Sequence, residues 1–397
     1  MHIRRLFLAT LLLPAVLGAA DGHAPAKGKL SLNARLRYEG VEQTGLLDAN
    51  ALTLRARLGF TSGDYAGFKA MIEGENILAA DGDRYNQSGL NPVAARRAVV
   101  ADPDSSEINQ AWISYTTGET SAVLGRQRLV LDNHRFVGDV GWRQNQQTFD
   151  AFVVRNQTLD HTTLTYAYLD RINRVFGERH PQGHWNSKSH LVNAARAGLP
   201  GASTLVVYGY WLDFDNSPAN SCATWGASYA GALDLPAAAK LAFRAEIAAQ
   251  TNHGSSRLAY DTRYYLLESG VTGKPGSLSV GNEVLGSDNN VGFKTPLATL
   301  HAFNGWADLF LATPSAGLVN TYLKGSANLP EAFAFTTFYH WFKADAGSTK
   351  FGREFDAMLS RKFGKYVTAA AKYADFRHDS PAFPNVRKVW VQLEFVY

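Results

Sequence analysis

The sequence predicts an all-β protein: a transmembrane antiparallel β-barrel of about 18 strands, with short periplasmic turns and long extracellular loops. Three observations lead there. Polar and apolar residues alternate with period two over segments near ten residues long, the connections alternate between short and long, and the one apolar run is too short to span a bilayer as a helix.

The alternation is strictest in the first segment. Between Lys29 and Glu39, Leu30, Leu32, Ala34, Leu36 and Tyr38 share one face, while Ser31, Asn33, Arg35 and Arg37 share the other with the two end residues. A tilted strand of about 9–11 residues crosses a bilayer. The pattern repeats with Leu52, Leu54, Ala56, Leu58 and Phe60 against Thr53, Arg55 and Arg57, then with Phe68, Ala70 and Ile72 against Lys69, Glu73 and Glu75. Further strands fall near 107–116, 120–128, 146–155, 159–169, 189–198, 203–213, 223–233, 238–250, 258–268, 277–285, 316–325, 331–342, 353–362, 366–376 and 387–397.

Connections carry independent information. Turn-like links at 117–119, 156–159, 199–201, 234–236 and 363–365 alternate with polar stretches at 78–106, 129–145, 170–188, 286–315 and 377–386. Short periplasmic turns opposite long extracellular loops are the pattern of outer-membrane barrels. The final segment alternates Val389, Val391, Leu393, Phe395 and Tyr397 with Trp390, Gln392 and Glu394, and an aromatic at the end of such a strand resembles the signal read by the barrel-assembly machinery. A soluble β-sandwich or propeller is the competing fold, but its strands would average about 5–6 residues and repeat by blade or hairpin.

At the N-terminus, Arg4 and Arg5 precede an apolar run at 6–17 and the small residues Gly18, Ala19 and Ala20. This is the layout of a cleaved signal peptide, so residues 1–20 are expected to be the leader and 21–397 a single barrel domain in the outer membrane of a Gram-negative bacterium. The formal charge of +4 drops to +2 without the two leader arginines, too weak an excess to indicate nucleic acid. Cys222 is the sole cysteine and can form no intrachain disulfide. Outer-membrane lipid and lipopolysaccharide are the expected surroundings, and no cofactor is called for.

A barrel of this size encloses an aqueous lumen, so function is expected on its inner face. There Arg35, Arg37, Arg55 and Arg57 form a basic strip, with Arg55 beside Glu73 across the hairpin in one register; Arg244 shares a face with Lys240 and Glu246, and Arg263 with Asp261. Arginine rings select anions, because the guanidinium fork stays charged and grips carboxylates. The same residues could instead pair with acids to stiffen the wall, and both readings stand at this point.

The stretch 125–151 concentrates Arg126, Arg128, Arg135 and Arg143 with Asp132, Asp139 and Asp150 in one connection, which is expected to fold inward and narrow the channel at 132–145. Its motifs, Gly125-Arg126-Gln127-Arg128-Leu129, Arg135-Phe136-Val137-Gly138 and Trp142-Arg143-Gln144-Asn145 with Gln147-Thr148-Phe149-Asp150-Ala151, resemble the alginate-export family of outer-membrane barrels. So do Val284-Leu285-Gly286-Ser287-Asp288-Asn289 and the run from Phe293 to Asp308. The resemblance implies an 18-stranded barrel with an arginine-lined constriction, a polyuronate as substrate, and Arg126, Arg128 and Arg143 as lumen or constriction groups. The expected function is passive, anion-preferring diffusion of anionic small molecules or an acidic polysaccharide such as alginate.

Phe293, Phe303, Trp306 and Phe310 could stack on sugar rings or pin their loop to the wall. An outer-membrane lipid or ester hydrolase is the competing function. It would need a nucleophile beside a positioned histidine, whereas His134, His161, His184, His190, His301 and His340 are scattered without G-x-S-x-G or H-E-x-x-H spacing. His180 and His184 are denied a shared helical face by Pro181 and Gly183, so no metal site is expected. A structural or adhesin barrel is the third class.

Overall fold

The computed structural model describes residues 27–397, so the expected leader lies outside the described residues. Eighteen strands form one closed antiparallel sheet: β1 Lys29–Gln43, β2 Ala49–Thr61, β3 Phe68–Ala79, β4 Ser105–Thr117, β5 Thr120–Gln127, β6 Thr148–Asn156, β7 Thr162–Asn173, β8 His184–Leu199, β9 Ser203–Leu212, β10 Cys222–Asp234, β11 Lys240–Asn252, β12 Asp261–Gly273, β13 Gly276–Leu285, β16 Leu318–Leu329, β17 Phe333–Lys343, β18 Lys350–Phe363, β19 Val367–His378 and β20 Val386–Val396. The remaining two, β14 Ser287–Asp288 and β15 Val291–Gly292, make a small ladder inside one loop. Each barrel strand pairs with its sequence neighbour, and β1 closes the ring by pairing with both β2 and β20. Closure leaves no unpaired edge, as lipid requires of a β-structure.

The two faces have opposite chemistry. Leu30, Leu36, Leu58, Leu124, Leu267 and Val391 point outward, and Leu58 is 64% exposed although it sits mid-strand beside buried Arg57. In water such a belt would be an aggregation site; around a closed barrel it is the lipid-facing surface. Aromatic pairs collect at the short-turn end, with Phe68 and Tyr115 4.5 Å apart and Tyr366 and Tyr397 5.5 Å apart, at the position of an interfacial girdle.

Short and long connections fall at opposite ends, as expected, but several boundaries differ. β8 begins at His184 rather than near 189, which shortens the loop to 174–183. Its extra turn of strand alternates buried Trp185 and Ser187 with exposed Asn186 and Lys188. Serine on an inner face hides the period that leucine would reveal. Register also corrects one pairing: Arg55 stands opposite Ile77 rather than beside Glu73, which faces Gly59, and Arg57 stands opposite Glu75. A bulge beyond Glu73 lets Asn109 and Gln110 both donate to that carboxylate, at 2.7 and 3.0 Å.

Candidate functional site

Loop 128–147 turns into the barrel. Leu129, Leu131, Phe136 and Val137 are buried, and Phe136 packs against Tyr208, Tyr264 and Phe293 at centroid distances of 5.2, 5.3 and 6.0 Å. Positive φ at Asp132, His134 and Val140 makes the reversals. The apolar half of the loop thus finds a core inside the lumen, on the inner row Tyr208, Tyr210 and Tyr264.

Loop 286–317 folds in beside it, and the two join. Val137 and Leu297 form a bridge, the Gly138 amide donates to the Leu297 carbonyl at 2.8 Å, and the Thr299 amide donates to the His134 carbonyl at 3.0 Å. The Gln147 amide donates to both the Gly138 and Leu297 carbonyls, at 2.8 and 3.0 Å. Pairing satisfies backbone groups that would otherwise be stranded in a partly dry interior.

The basic strip holds this insert. Arg35 donates to the carbonyls of Gly141 and Trp142 at 3.1 and 3.0 Å, and Arg57 to that of Gln144 at 3.1 Å. Arg55 reaches the Arg143 and Gln144 carbonyls more loosely, at 3.5 Å. The same guanidinium groups also meet wall acids: Arg35 and Arg55 share Glu394 at 3.0 Å, and Arg57 pairs with Glu75. Arg37 lies 3.5 Å from Asp102 and 4.1 Å over the Trp142 ring.

Arg143 is the centre of the insert. It donates to Glu39 at 2.9 Å and Asp308 at 2.8 Å, with Asp102 at 3.7 Å. Burial works against its charge, but these acids hold the guanidinium above its usual range. Asp308 also accepts from Lys388 at 2.7 Å. His301 bridges Asp308 (2.7 Å from Nδ1) and Lys372 (2.6 Å from Nε2), and its ring stacks on Trp142 at 4.8 Å. Burial pushes the imidazole well below its ordinary value. The neutral tautomer therefore carries its proton on Nδ1 and accepts from Lys372 at Nε2. Burial opposes ionisation of Asp308, yet His301, Lys388 and Arg143 together hold it well below the usual carboxylate range. Farther along, the amides of Trp306 and Ala307 donate to Asp356 and Glu354 of β18, at 3.2 and 2.6 Å.

The nine arginines singled out from the sequence therefore divide. Arg35, Arg37, Arg55, Arg57 and Arg143 come together, buried under or within the insert. Arg128 leaves β5 half exposed and bonds Asp139 at 2.9 Å; burial opposes the charge of Asp139, but Arg128 lowers its pKa. Arg244 is on the inner face, 2.8 Å from Glu246. Two placements are corrected. Arg126 shares the outer face of Leu124, alternate to buried Gln127, and closes on outward Asp150 at 2.7 Å. Arg263 shares the outer face of Tyr265 and Leu267 and pairs with Asp261. The inner row of β12 is Thr262, Tyr264 and Leu266, apolar because the inward loops pack on it, so reading apolar as lipid-facing inverts this strand.

Sequence reasoning counted Arg135 among the charges of 125–151 without giving it a site role; the residue is fully buried, bonds Glu283 at 2.6 Å and lies 4.8 Å over the face of Phe303. Sequence reasoning overlooked Lys372, whose ammonium lies 4.1 Å over Trp142 and 3.6 Å over Trp306. A polar residue in alternate positions of β18–β20, as at Glu354, Asp356, Lys372 and Lys388, was the available signal. Phe293, Trp306 and Phe310 pin the loop, Phe310 packing on Phe342 at 4.5 Å. Beneath the insert lies a cavity of about 400 Å³, bordered by Arg244, Glu268, Tyr322, Lys324, Phe338 and Trp306. Three inward cations, Arg155, Lys324 and Lys362, make no ion pair among the described residues: Arg155 stands opposite Ser121, Lys362 opposite Thr368, and Lys324 between Ser279 and Phe338.

Residues 28–168 match the family model described as alginate export. No curated protein sequence matches the chain. Among solved structures, OccK9 (OpdG) of Pseudomonas aeruginosa superposes with a TM-score of 0.74 at 15% identity, covering 93% of this chain and 98% of that one. OpdK of the same organism, solved with vanillate, gives 0.74 at 12% over 93% and 98%. OccAB3 of Acinetobacter baumannii gives 0.74 at 14% over 93% and 99%. At this identity the likeness establishes the fold. Residues 28–168 thus carry the match to the alginate-export family model, and from end to end of its described sheet the chain has the fold of those solved structures, a closed 18-stranded antiparallel barrel.

Proposed function

We propose that the protein is a passive channel of the Gram-negative outer membrane that favours anions, with small carboxylates as its first solutes and a polyuronate as the competing one. The observation that carries the reading is the contrast between the two sets of inward cations. The arginines of the basic strip are occupied by loop carbonyls and wall acids, so they build the constriction. Arg155, Lys324 and Lys362 make no ion pair among the described residues, whereas Glu73 and Glu268 keep their charge but have it turned to the wall by two side-chain amides and by the Tyr322 hydroxyl. Unpaired cations on a low-dielectric wall are free to meet an anionic solute along the lumen.

A small solute is favoured because the cavity beneath the insert is of single-ring size, toward the lower end of ligand pockets at roughly 300–1,000 Å³. Vanillate, found with OpdK, is a carboxylate of that class. The alginate-export match keeps the polymer as the alternative.

Planar-bilayer recording tests this. In a salt gradient the reversal potential should have the sign of an anion-preferring pore, and Arg155→Ser with Lys324→Ser and Lys362→Ser should move it toward zero. Vanillate should block chloride current more strongly than a neutral sugar; block by polyuronate alone would transfer the reading to the polymer. A cation-selective pore, or a barrel with no conductance, would end the proposal.

A further inference from the structure

We infer that the outer face of the barrel at the long-loop ends of β17–β20 is a docking site for a phosphorylated glycolipid of the outer leaflet, of the lipopolysaccharide type. The site rests on the outer-membrane reading but not on what the channel conducts. Strand alternation sets five cations on this face. Lys343 stands opposite Lys350, Arg353 stands between Trp341 and Arg377, and Arg387 stands between Asp375 and Glu42. The face is the lipid-facing one, because Trp341, Phe355, Val389 and Val391 continue it downward as exposed apolar residues. The alternate residues Glu354, Phe376, Lys388 and Trp390 are buried inside.

Only two of the five are neutralised. Arg377 pairs with Asp375 at 3.1 Å and Arg387 with Glu42 at 3.0 Å. Lys343, Lys350 and Arg353 are exposed and make no ion pair among the described residues. Elsewhere on the same rim the charges cancel locally, Lys188 with Asp215 at 3.1 Å and Arg263 with Asp261. A recess of about 200 Å³ beside Arg377 and Arg387 is lined also by Glu42, Asp48 and Asp375, so charge cancels there and the free positive charge of this face is that of Lys343, Lys350 and Arg353.

A cation at the edge of a hydrocarbon belt extends to the head-group level, where anionic head-group charge attracts it. Trp341 marks that edge, since indole rings settle at the membrane–water boundary. Directly above it, two lysines and an arginine present point charge and a bidentate fork together, which is the donor set a phosphate monoester takes. A glycolipid whose sugars carry phosphates places such groups just above its acyl chains, at the level of Lys350 and Arg353. Its chains would then lie along Phe355, Val389 and Val391.

Native mass spectrometry of the detergent-purified full barrel, titrated with bisphosphorylated lipid A, tests the site. Lipid A should be retained, dephosphorylated lipid A and phosphatidylglycerol should be lost at lower collision energy, and Lys343→Ser with Lys350→Ser and Arg353→Ser should weaken retention on the order of a hundredfold. Lys188→Ser, on the neutralised part of the rim, should leave it unchanged. Heat-modifiable electrophoretic mobility checks that each barrel is folded, and Arg353→Glu alone serves if the triple variant is not. Equal retention by wild type and folded variants, or equal binding of the dephosphorylated lipid or of phosphatidylglycerol, overturns the proposal. The bilayer reversal potential of the folded variants should not move, so a failed channel reading and a failed lipid site give different results.

Discussion

Replacing Arg143 with Met should loosen the constriction without dissolving the barrel. Among the described residues Arg143 is the one cation within ion-pair distance of Glu39, and its loss strands that buried carboxylate, one of whose oxygens already lacks a partner. Asp308 keeps Lys388 and His301, and Asp102 keeps Arg37, so the damage concentrates at Glu39. Breaking one side of a buried pair costs about 3–5 kcal/mol, and each 1.4 kcal/mol is a factor of about ten in a population. The closed insert would lose at least two powers of ten against displaced states, while the Arg35, Arg57 and Gln147 hydrogen bonds still hold it part of the time. Single-channel recording should therefore show brief steps to higher conductance that the wild type lacks. Arg143→Met with Glu39→Gln should recover most of the quiet state, because the neutral amide no longer needs a cation. Quiet traces from the single variant, or no recovery in the double, would refute the coupling of this ion pair to the closed pore.

Gly305 has φ +84°, and a Cβ there would meet the carboxylate of Glu354, so Gly305→Ala should free the Trp306–Ala307 anchor and produce similar steps in the same recording. Lys372→Met keeps the length of the side chain but removes the donor to His301 and the cation above Trp142 and Trp306; a thermal midpoint unchanged from wild type would show the indole cage to be indifferent to charge. Acid should also act on the insert. His301 and Asp308 both have depressed values in the folded loop, so released or unfolded chains bind more protons, and stability falls as pH drops below about 6.5 and again below about 3.9. Open-state noise that stays flat from pH 7 to pH 5 would contradict the upper limb, which His301→Gln should abolish. Arg126→Ser, by contrast, removes an outward pair and should leave the reversal potential where it was.

The barrel was legible because its cause is local. Leu30 to Tyr38 must face lipid and their neighbours must not, so period two is written into each strand with no knowledge of its partners. Inward folding of 128–147 was also expected from its charge, and Arg35 and Arg57 do reach into it. The partners were not legible. Arg143 meets Asp308, and Arg135 meets Glu283, across more than a hundred residues of chain, and no spacing rule connects such positions. Faces failed in two places: at Arg126, carried over from the resemblance although it shares the outer face of Leu124, and where the insert supplies its own core. Tyr264 and Leu266 are apolar because Phe136 and Phe293 lie against them, and that made outward Arg263 read as inward.

The same fact bears on what arginines in such a lumen do. A guanidinium buried beneath a loop has two ways to stay charged: an acid on the wall or carbonyl oxygens on the loop. Arg35 uses both, bonding Glu394 on one side and the Gly141 and Trp142 carbonyls on the other. The side chains that would have drawn anions are thereby spent on holding an irregular backbone inside the barrel, where its carbonyls would otherwise go unpaired. On the function proposed above, selectivity then rests on cations the insert does not touch. Arg155, two register rows toward the short-turn end from buried Ala151, is such a residue, and so is Lys324 on the far wall. The prediction separates the two roles: neutralising Arg35 should change the size and steadiness of the current, and neutralising Arg155 and Lys324 should change which ion carries it.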